Sequence, residues 1–456
     1  MDSTCDDTIA DYQRRRDVHR AQADTAERRA ERMSLARVVL FVLVIAVAGL
    51  CWRRGESSAA MCVLAIGIAA FMALANVHRR ARDGARDHNA RSHACAVGID
   101  RVRRAWDQLS STVITEIPST HPFGRDLNLF GGGSLASLAK LLGPTSAIAG
   151  QAVLVRWLLA EEPESIGMIR ERQSAVAELE PRADWRELLG VLGQRAGRNA
   201  GMVEEFLVWT ETPGSTVARH ISWIARLLTA ATLYAAVRAA VHREDWRMLA
   251  ACCAANLVLT AVYWKQLLRD LRGAASSGGF SILAAGAMFD HLGRADYAAP
   301  ALLDVQRRAH PKSGGVLRRL SQIATCGDLR FSPLGHGILQ ALTLWDFHVV
   351  AALGHWRQAH GGSMRGRLGA VGEIEAYAAL ATLAYDNPSW TYPQFHGAES
   401  TTIDATGLGH PLLAAPVRIG NDVQVGPRNT FLLITGSNMA GKSTLLRALG
   451  LNVILA

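Results

Sequence analysis

Between Gly436 and Thr444 the chain reads Gly-Ser-Asn-Met-Ala-Gly-Lys-Ser-Thr, residue types whose order suits the grip of a phosphate chain. Gly436 and Gly441 let the backbone curl, so that the amides of Ser437, Asn438, Met439 and Ala440 can turn toward phosphate oxygens. Lys442 then supplies a cation to the β and γ phosphates, the Ser443 hydroxyl is a ligand for Mg²⁺, and Thr444 closes the binding set. The ligands this implies are ATP and Mg²⁺. Placement adds weight to the motif: the chain holds 49 basic residues, yet its lysines are only Lys140, Lys265, Lys312 and Lys442.

A loop of this kind needs a strand to deliver the chain and a helix to open behind it with its N–H groups and positive dipole end aimed at the phosphates. The apolar run Phe431 to Thr435 is predicted as that strand, and the helix follows from Lys442. Other short β-prone pieces, Leu412-Leu413, Val417 to Ile419 and Val423 to Val425, lie after Asn387-Pro388 with glycine and proline between them, so an α/β domain begins there.

Most of the chain before that point reads as helix. Val38 to Trp52 and Ser57 to Val77 are uncharged apolar runs separated by Arg53-Arg54-Gly55-Glu56, the pattern of a membrane hairpin. A span takes about 20 residues, so the second run suffices and the first spans with Ala36 and flanking arginines at the interface. Its length also fits the apolar core of a signal peptide. Arginines 14, 15, 16, 20, 28, 29 and 32 precede the pair and arginines 79, 80, 82, 86 and 91 follow it, which places both ends in the cytoplasm; Arg53 and Arg54 are the smaller opposing set. Residues 1–34 read as an exposed polar helix with little core of its own, and 79–120 as a basic helix ending near Pro118 and Pro122 and able to meet anionic headgroups. A second apolar pair, Ile221 to Val241 and Met248 to Trp264, surrounds the polar turn His242 to Arg247. Arg226 and Arg238 inside it leave two readings open, a second membrane hairpin or two buried core helices.

From Leu135 to Leu192 apolar residues recur at helical spacing, broken at Gly143-Pro144 and Pro163; Ile338 to Arg357 and Val371 to Tyr385 are further helices. Gly131-Gly132-Gly133-Ser134 has no following lysine and reads as a cap for a helix at Leu135. His336, His348, His355 and His360 lack the helical spacing of a zinc motif and read as solvated or capping groups. The seven cysteines are odd in number, and none are spaced as Cys-x-x-Cys, which excludes a simple disulfide framework or zinc ribbon. A formal net charge of +9 fits nucleic acid or an anionic membrane as partner, but an arginine-rich composition produces the same balance.

Ser437-Asn438-Met439 within the loop, Gly409-His410-Pro411 and Asn421-Asp422 resemble the ATPase domain of the MutS mismatch-repair family. Residues 126 to 180, with Arg156-Trp157-Leu158-Leu159 and Ile169 to Gln173, are similar to the start of its helical core and lever. Glu373-Ile374-Glu375-Ala376 is similar to its last lever helix. With the membrane hairpins read from the apolar runs, the resemblance implies a mainly α-helical protein, transmembrane hairpins plus a core and lever domain, followed by the first part of an α/β P-loop domain. The corresponding segments are 1–34, polar helix; 35–78, transmembrane hairpin; 79–124, basic linker; 125–386, core and lever with the apolar insertion 221–264; and 387–456, the start of the ATPase. It further implies a homodimer and Asn438 near the γ-phosphate, and the apolar hairpin 221–264 occupies roughly the place where the family inserts its DNA clamp. Ser437 departs from the proline common in the family.

No phenylalanine is followed two positions later by glutamate, so the family's mismatch wedge has no counterpart. The acidic strand that would orient water and hold Mg²⁺ would lie beyond Ala456, so the sequence is expected to be part of a longer protein, its catalytic residues unknown. The expected function is therefore a multi-pass protein of the cytoplasmic membrane, contacting lipid, that binds ATP on the cytoplasmic side and couples nucleotide state to a helical lever; hydrolysis would need the remaining machinery. A membrane-tethered DNA-binding protein and a non-catalytic scaffold with a vestigial loop are the alternatives.

Overall fold

The computed structural model describes residues 3–109, 121–131, 135–143, 148–162, 164–197, 200–212, 219–242, 246–275, 281–328, 333–396, 402–437 and 441–456. They divide into two units, Met1–Gly143 with Thr382–Ala456, and Pro144–Ala381.

In the first unit α1 (Ser3–Arg53) and α2 (Ser57–Arg103) lie side by side, reversed at Gly55, whose φ of 82° only glycine adopts freely. Alanine and arginine, both strong helix formers, carry each polar stretch without a break into its apolar run. The helices approach closely: a Cβ on Gly67 would come within 2.5 Å of Val44, and one on Gly98 within 2.6 Å of the Tyr12 ring. Only 6% and 11% of their most apolar windows are buried, leaving Phe41, Val42, Ile66 and Met72 exposed.

Two expectations are corrected here. The N-terminal polar segment does have a core, since Tyr12 is buried with Cys95, Ile99 and Val102 of α2, and Cys5, Ile9 and Tyr385 pack against them. The basic helix stops at Arg103 rather than near Pro118, because Arg104 turns left-handed (φ 57°) and its N–H caps the carbonyls of Asp100 and Arg101. Pro118 lies outside the described residues. After it comes α3 (Leu138–Leu142), capped by Ser137, whose hydroxyl accepts from the Lys140 amide at 3.3 Å. The cap was expected at the glycine run before Leu135; Gly132 to Ser134 are outside the described residues, and Ser137 has the extended backbone a capping serine uses.

The second unit is helical: α4 (Ile148–Leu158), α5 (Ile166–Leu179), α6 (Ala183–Ala196), α7 (Ala200–Glu211), α8 (Arg219–His242), α9 (Trp246–Ala275), α10 (Ile282–Arg294), α11 (Pro300–Ala309), α12 (Ser313–Asp328), α13 (Pro333–Thr343) and most of α14 (Trp345–Asp386). Ser165 and Ser281 cap α5 and α10 through their hydroxyls, and Pro300 opens α11. Ile282, Ala285, Met288, Phe289 and Leu292 form the buried stripe of α10, which packs on α6 and α12. The single helix expected over Ile338 to Arg357 is instead broken. Leu344, fully buried, takes φ 49°, and α13 meets α14 at 77°. Gln340 secures the break by accepting from the Asp346 amide at 2.9 Å, a side-chain cap for α14. Past the break, Val371 to Tyr385 continues the same helix.

The last residues of α14 belong to the first unit, followed by β1 (Ile403–Leu408) and β2 (Asn421–Val425), an antiparallel pair with an irregularity between Ala405 and Leu408. The final helix is α15 (Lys442–Leu455). Of the four expected β pieces only Val423 to Val425 is a strand. Leu412-Leu413 lies in a turn and Val417 ends a 3₁₀ turn. Phe431 to Thr435 is not a strand either, correcting the expected strand before the loop. No strand among the described residues pairs with it, and with no ladder to join, Phe431 is left 86% exposed.

Candidate phosphate-binding loop and its supports

Gly441 sits immediately before α15 in the left-handed region (φ 78°), a conformation that lets the chain swing from the loop into the helix with Lys442 as its first residue. The first-turn amides of α15 have no carbonyl partner within the helix, and no acidic side chain occupies that turn. Lys442 folds back over the loop: its Nζ donates to the carbonyls of Gly436 and, at 2.6 Å, Ser437. Ser443 and Thr444 are exposed on the first turn. A cation beside the Gly436 and Ser437 carbonyls, with a hydroxyl one residue on, is a donor set that suits a polyphosphate with its Mg²⁺. Asn438, Met439 and Ala440 lie outside the described residues. The structure thus brings together Gly436, Ser437, Gly441, Lys442, Ser443 and Thr444.

The far end of α15 is tied to the segment ahead of the loop. Asn452 donates from Nδ2 to the Gly409 carbonyl at 3.0 Å, and Gly450 lies so close to Leu127 that a Cβ would meet its Cδ2 at 2.7 Å. Ala448 and Leu451 are buried there, as is Leu412. His410 accepts from the Leu412 amide through Nδ1, which requires that nitrogen unprotonated; burial, with the Arg447 charge in support, pushes its imidazole below the usual value. Asp422 accepts from the Gly407 amide at 2.8 Å, bracing the strand pair.

A second set of contacts joins this segment to the two long N-terminal helices. Arg101 donates from Nε to Asp386 at 2.8 Å, and Tyr12 donates its hydroxyl to the other Asp386 oxygen at 2.6 Å. Burial opposes the Arg101 charge, but Asp386 and Tyr12 outweigh it and hold the guanidinium above its ordinary value. Arg104 bonds Asn387 at 2.8 Å and the Pro411 carbonyl at 3.2 Å, next to His410. Here burial wins, pushing Arg104 down to about 10, although Asp386 pulls the other way. The Arg104 and Arg418 guanidiniums lie 5.9 and 5.2 Å from the Trp390 ring centre.

None of Tyr12, Arg101, Arg104, Asp386 or Asn452 is marked by a motif. In a chain this rich in arginine, two buried ones leave no local signature. Of the histidines set aside as metal ligands, His336 pairs with Asp346 at 3.0 Å and His348 with Thr229 at 3.1 Å.

No model of a protein family matches the chain, and no solved structure matches it. Among curated proteins it is similar to the DNA mismatch repair protein MutS of Chlorobium chlorochromatii, 40% identical over 93 residues, which is 19% of this chain and 10% of the relative. The protein of that name from Granulibacter bethesdensis is 34% identical over 114 residues, 24% of this chain and 12% of the relative. Endonuclease MutS2 of Streptococcus suis is 32% identical over 108 residues, 24% of this chain and 13% of the relative. The chain therefore spans about a tenth of the length of these relatives, and it carries a MutS-related region within a mainly α-helical molecule.

Proposed function

We propose that this protein binds MgATP at Gly436 to Thr444 as a membrane-anchored MutS-like P-loop protein, and that nucleotide state is passed to its helices. The observation that carries the reading is Lys442, first residue of α15, folded over the loop carbonyls behind a left-handed Gly441. Backbone amides from Gly436 to Gly441 would hold phosphate oxygens, with Asn438 near the γ-phosphate by resemblance, and Lys442 would neutralise the β and γ phosphates. Ser443 would hold Mg²⁺, which when bound spreads the charge of the terminal phosphates. The α1 and α2 apolar runs would cross the cytoplasmic membrane as a hairpin, keeping the loop on the cytoplasmic face, and two copies would pair as a homodimer.

Lys442→Ala is expected to abolish ATP binding to the full-length chain in detergent, read by fluorescent-nucleotide titration. Unchanged affinity would sink the assignment. A second reading follows from the two MutS relatives named for DNA mismatch repair, together with the net charge of +9: DNA association by a protein held at the membrane.

A further inference from the structure

Helices α8 and α9 form a hairpin with the polarity of a water-soluble bundle reversed. Facing inward, Thr232 and Asn256 are wholly buried, and Thr260 and Gln340 nearly so. Asn256 donates from Nδ2 to Thr232 Oγ1 at 3.0 Å and to the Ala341 carbonyl of α13 at 2.7 Å. Thr260 accepts from Gln340 Nε2 at 2.9 Å, so α13 is stitched to α9 by side-chain amides and to α8 by the Thr229 bond to the Thr343 carbonyl, 2.8 Å. Alanines 225, 235 and 239 complete the inner face of α8, small enough for close helix approach. Facing outward are Leu227, Val237, Val258 and Val262, between 62% and 70% exposed. A core of hydroxyls and amides inside a shell of bare aliphatics gains nothing in water, where the hydrophobic effect would turn the pair over. In hydrocarbon the same arrangement keeps these hydroxyls and amide N–H groups bonded within the protein, while the Asn256 Oδ1 is left without a partner.

The dimensions agree. From Trp223 to Val241, and from Trp246 to Trp264, each helix rises about 27 Å at ~1.5 Å per residue, against a hydrocarbon thickness of ~30 Å. Trp246 marks the turn end of the hairpin, and Trp223 and Trp264 mark the other, where indole rings sit at a bilayer interface. The arginines inside the run lie about one turn from either end. Arg226 stacks over Trp223, 4.8 Å from its ring centre, and Arg238 is one turn before His242, both in reach of headgroups.

We infer that the outer face of the α8–α9 hairpin meets lipid hydrocarbon, with the short α13 helix held against it by the Thr232, Asn256, Thr260 and Gln340 seam. This extends the membrane half of the proposed function to the second unit and does not depend on nucleotide binding. The test uses full-length chain with its cysteines replaced, reconstituted in phosphatidylcholine and phosphatidylglycerol vesicles. A nitroxide is placed in turn at Val237, at Val258, and at Ile66 as reporter of the first hairpin. Lipid contact predicts collision with dissolved oxygen several-fold above collision with a water-soluble nickel chelate at Val237 and Val258. Two results overturn the inference: high nickel accessibility there, meaning water, or low accessibility to both, meaning protein cover such as a second copy. A lipid signature at Ile66 alone refutes the second hairpin and leaves the first standing. Should the cysteine-free chain fail to fold, the unmodified chain is photolabelled by a diazirine buried in the acyl region. Adducts are then expected on peptides spanning 227–262 as well as on 57–77, and adducts on 57–77 only would overturn it.

Discussion

Asp386 accepts from both Tyr12 and Arg101 with its side chain entirely out of water, so deleting it strands a buried guanidinium. Removing one member of such a pair costs about 3–5 kcal/mol. Asp386→Ala is accordingly expected to lower stability by that order in denaturant titrations of the detergent-solubilised chain, with Tyr12→Phe losing ~1.5–3 kcal/mol for one hydrogen bond to a charged group. An Asp386→Ala chain as stable as its parent would show that the pair is not formed. At this scale the sequence discloses chemistry that is local and hides chemistry that is assembled. Gly436, Gly441, Lys442 and Ser443 are neighbours whose order has a function by itself. Arg101 and Asp386 acquire theirs only when the chain brings them together, and nothing in either one's vicinity announces the other.

Helices repeat that contrast. The α1–α2 hairpin is legible because two apolar runs either side of a short polar link have few other solutions, and its reversal at Gly55 falls within the predicted link. Gly67 adds a constraint: a larger side chain there must displace Val44. Gly67→Leu should force α1 and α2 apart and cost roughly 1–3 kcal/mol, the usual range for overpacking, seen as a lower midpoint in thermal melts in micelles. A melt identical to the parent's would mean that the helices do not approach as described. The break between α13 and α14 was not legible, since Leu344 is neither proline nor glycine; its left-handed turn follows from its burial and from Gln340 capping the next helix. The segment Phe431 to Thr435 fails in the opposite sense. Its composition is that of a strand, but a strand exists only through a partner's hydrogen bonds.

For the molecule as a whole, charge and connectivity decide what can be asked next. If the net charge of +9 serves DNA, binding should weaken steeply between roughly 50 and 200 mM salt, in proportion to the phosphates neutralised. A filter or anisotropy titration that detects no binding at the low end removes that reading. The charge was read directly from composition, whereas the division into two units was not, because the first unit takes its residues from both ends of the sequence. That discontinuity governs how the protein must be made. Arg101 is synthesised 285 residues before Asp386, which at about 5–20 residues per second is roughly a quarter of a minute to a minute of translation. During that interval the nascent chain exposes an unpaired Arg101 and an open Tyr12 pocket beside a pair of apolar helices. Only a chain translated past Asp386 can close this site, and until then Arg101 must stay in water, so the final packing of the N-terminal helices waits for the far end of α14.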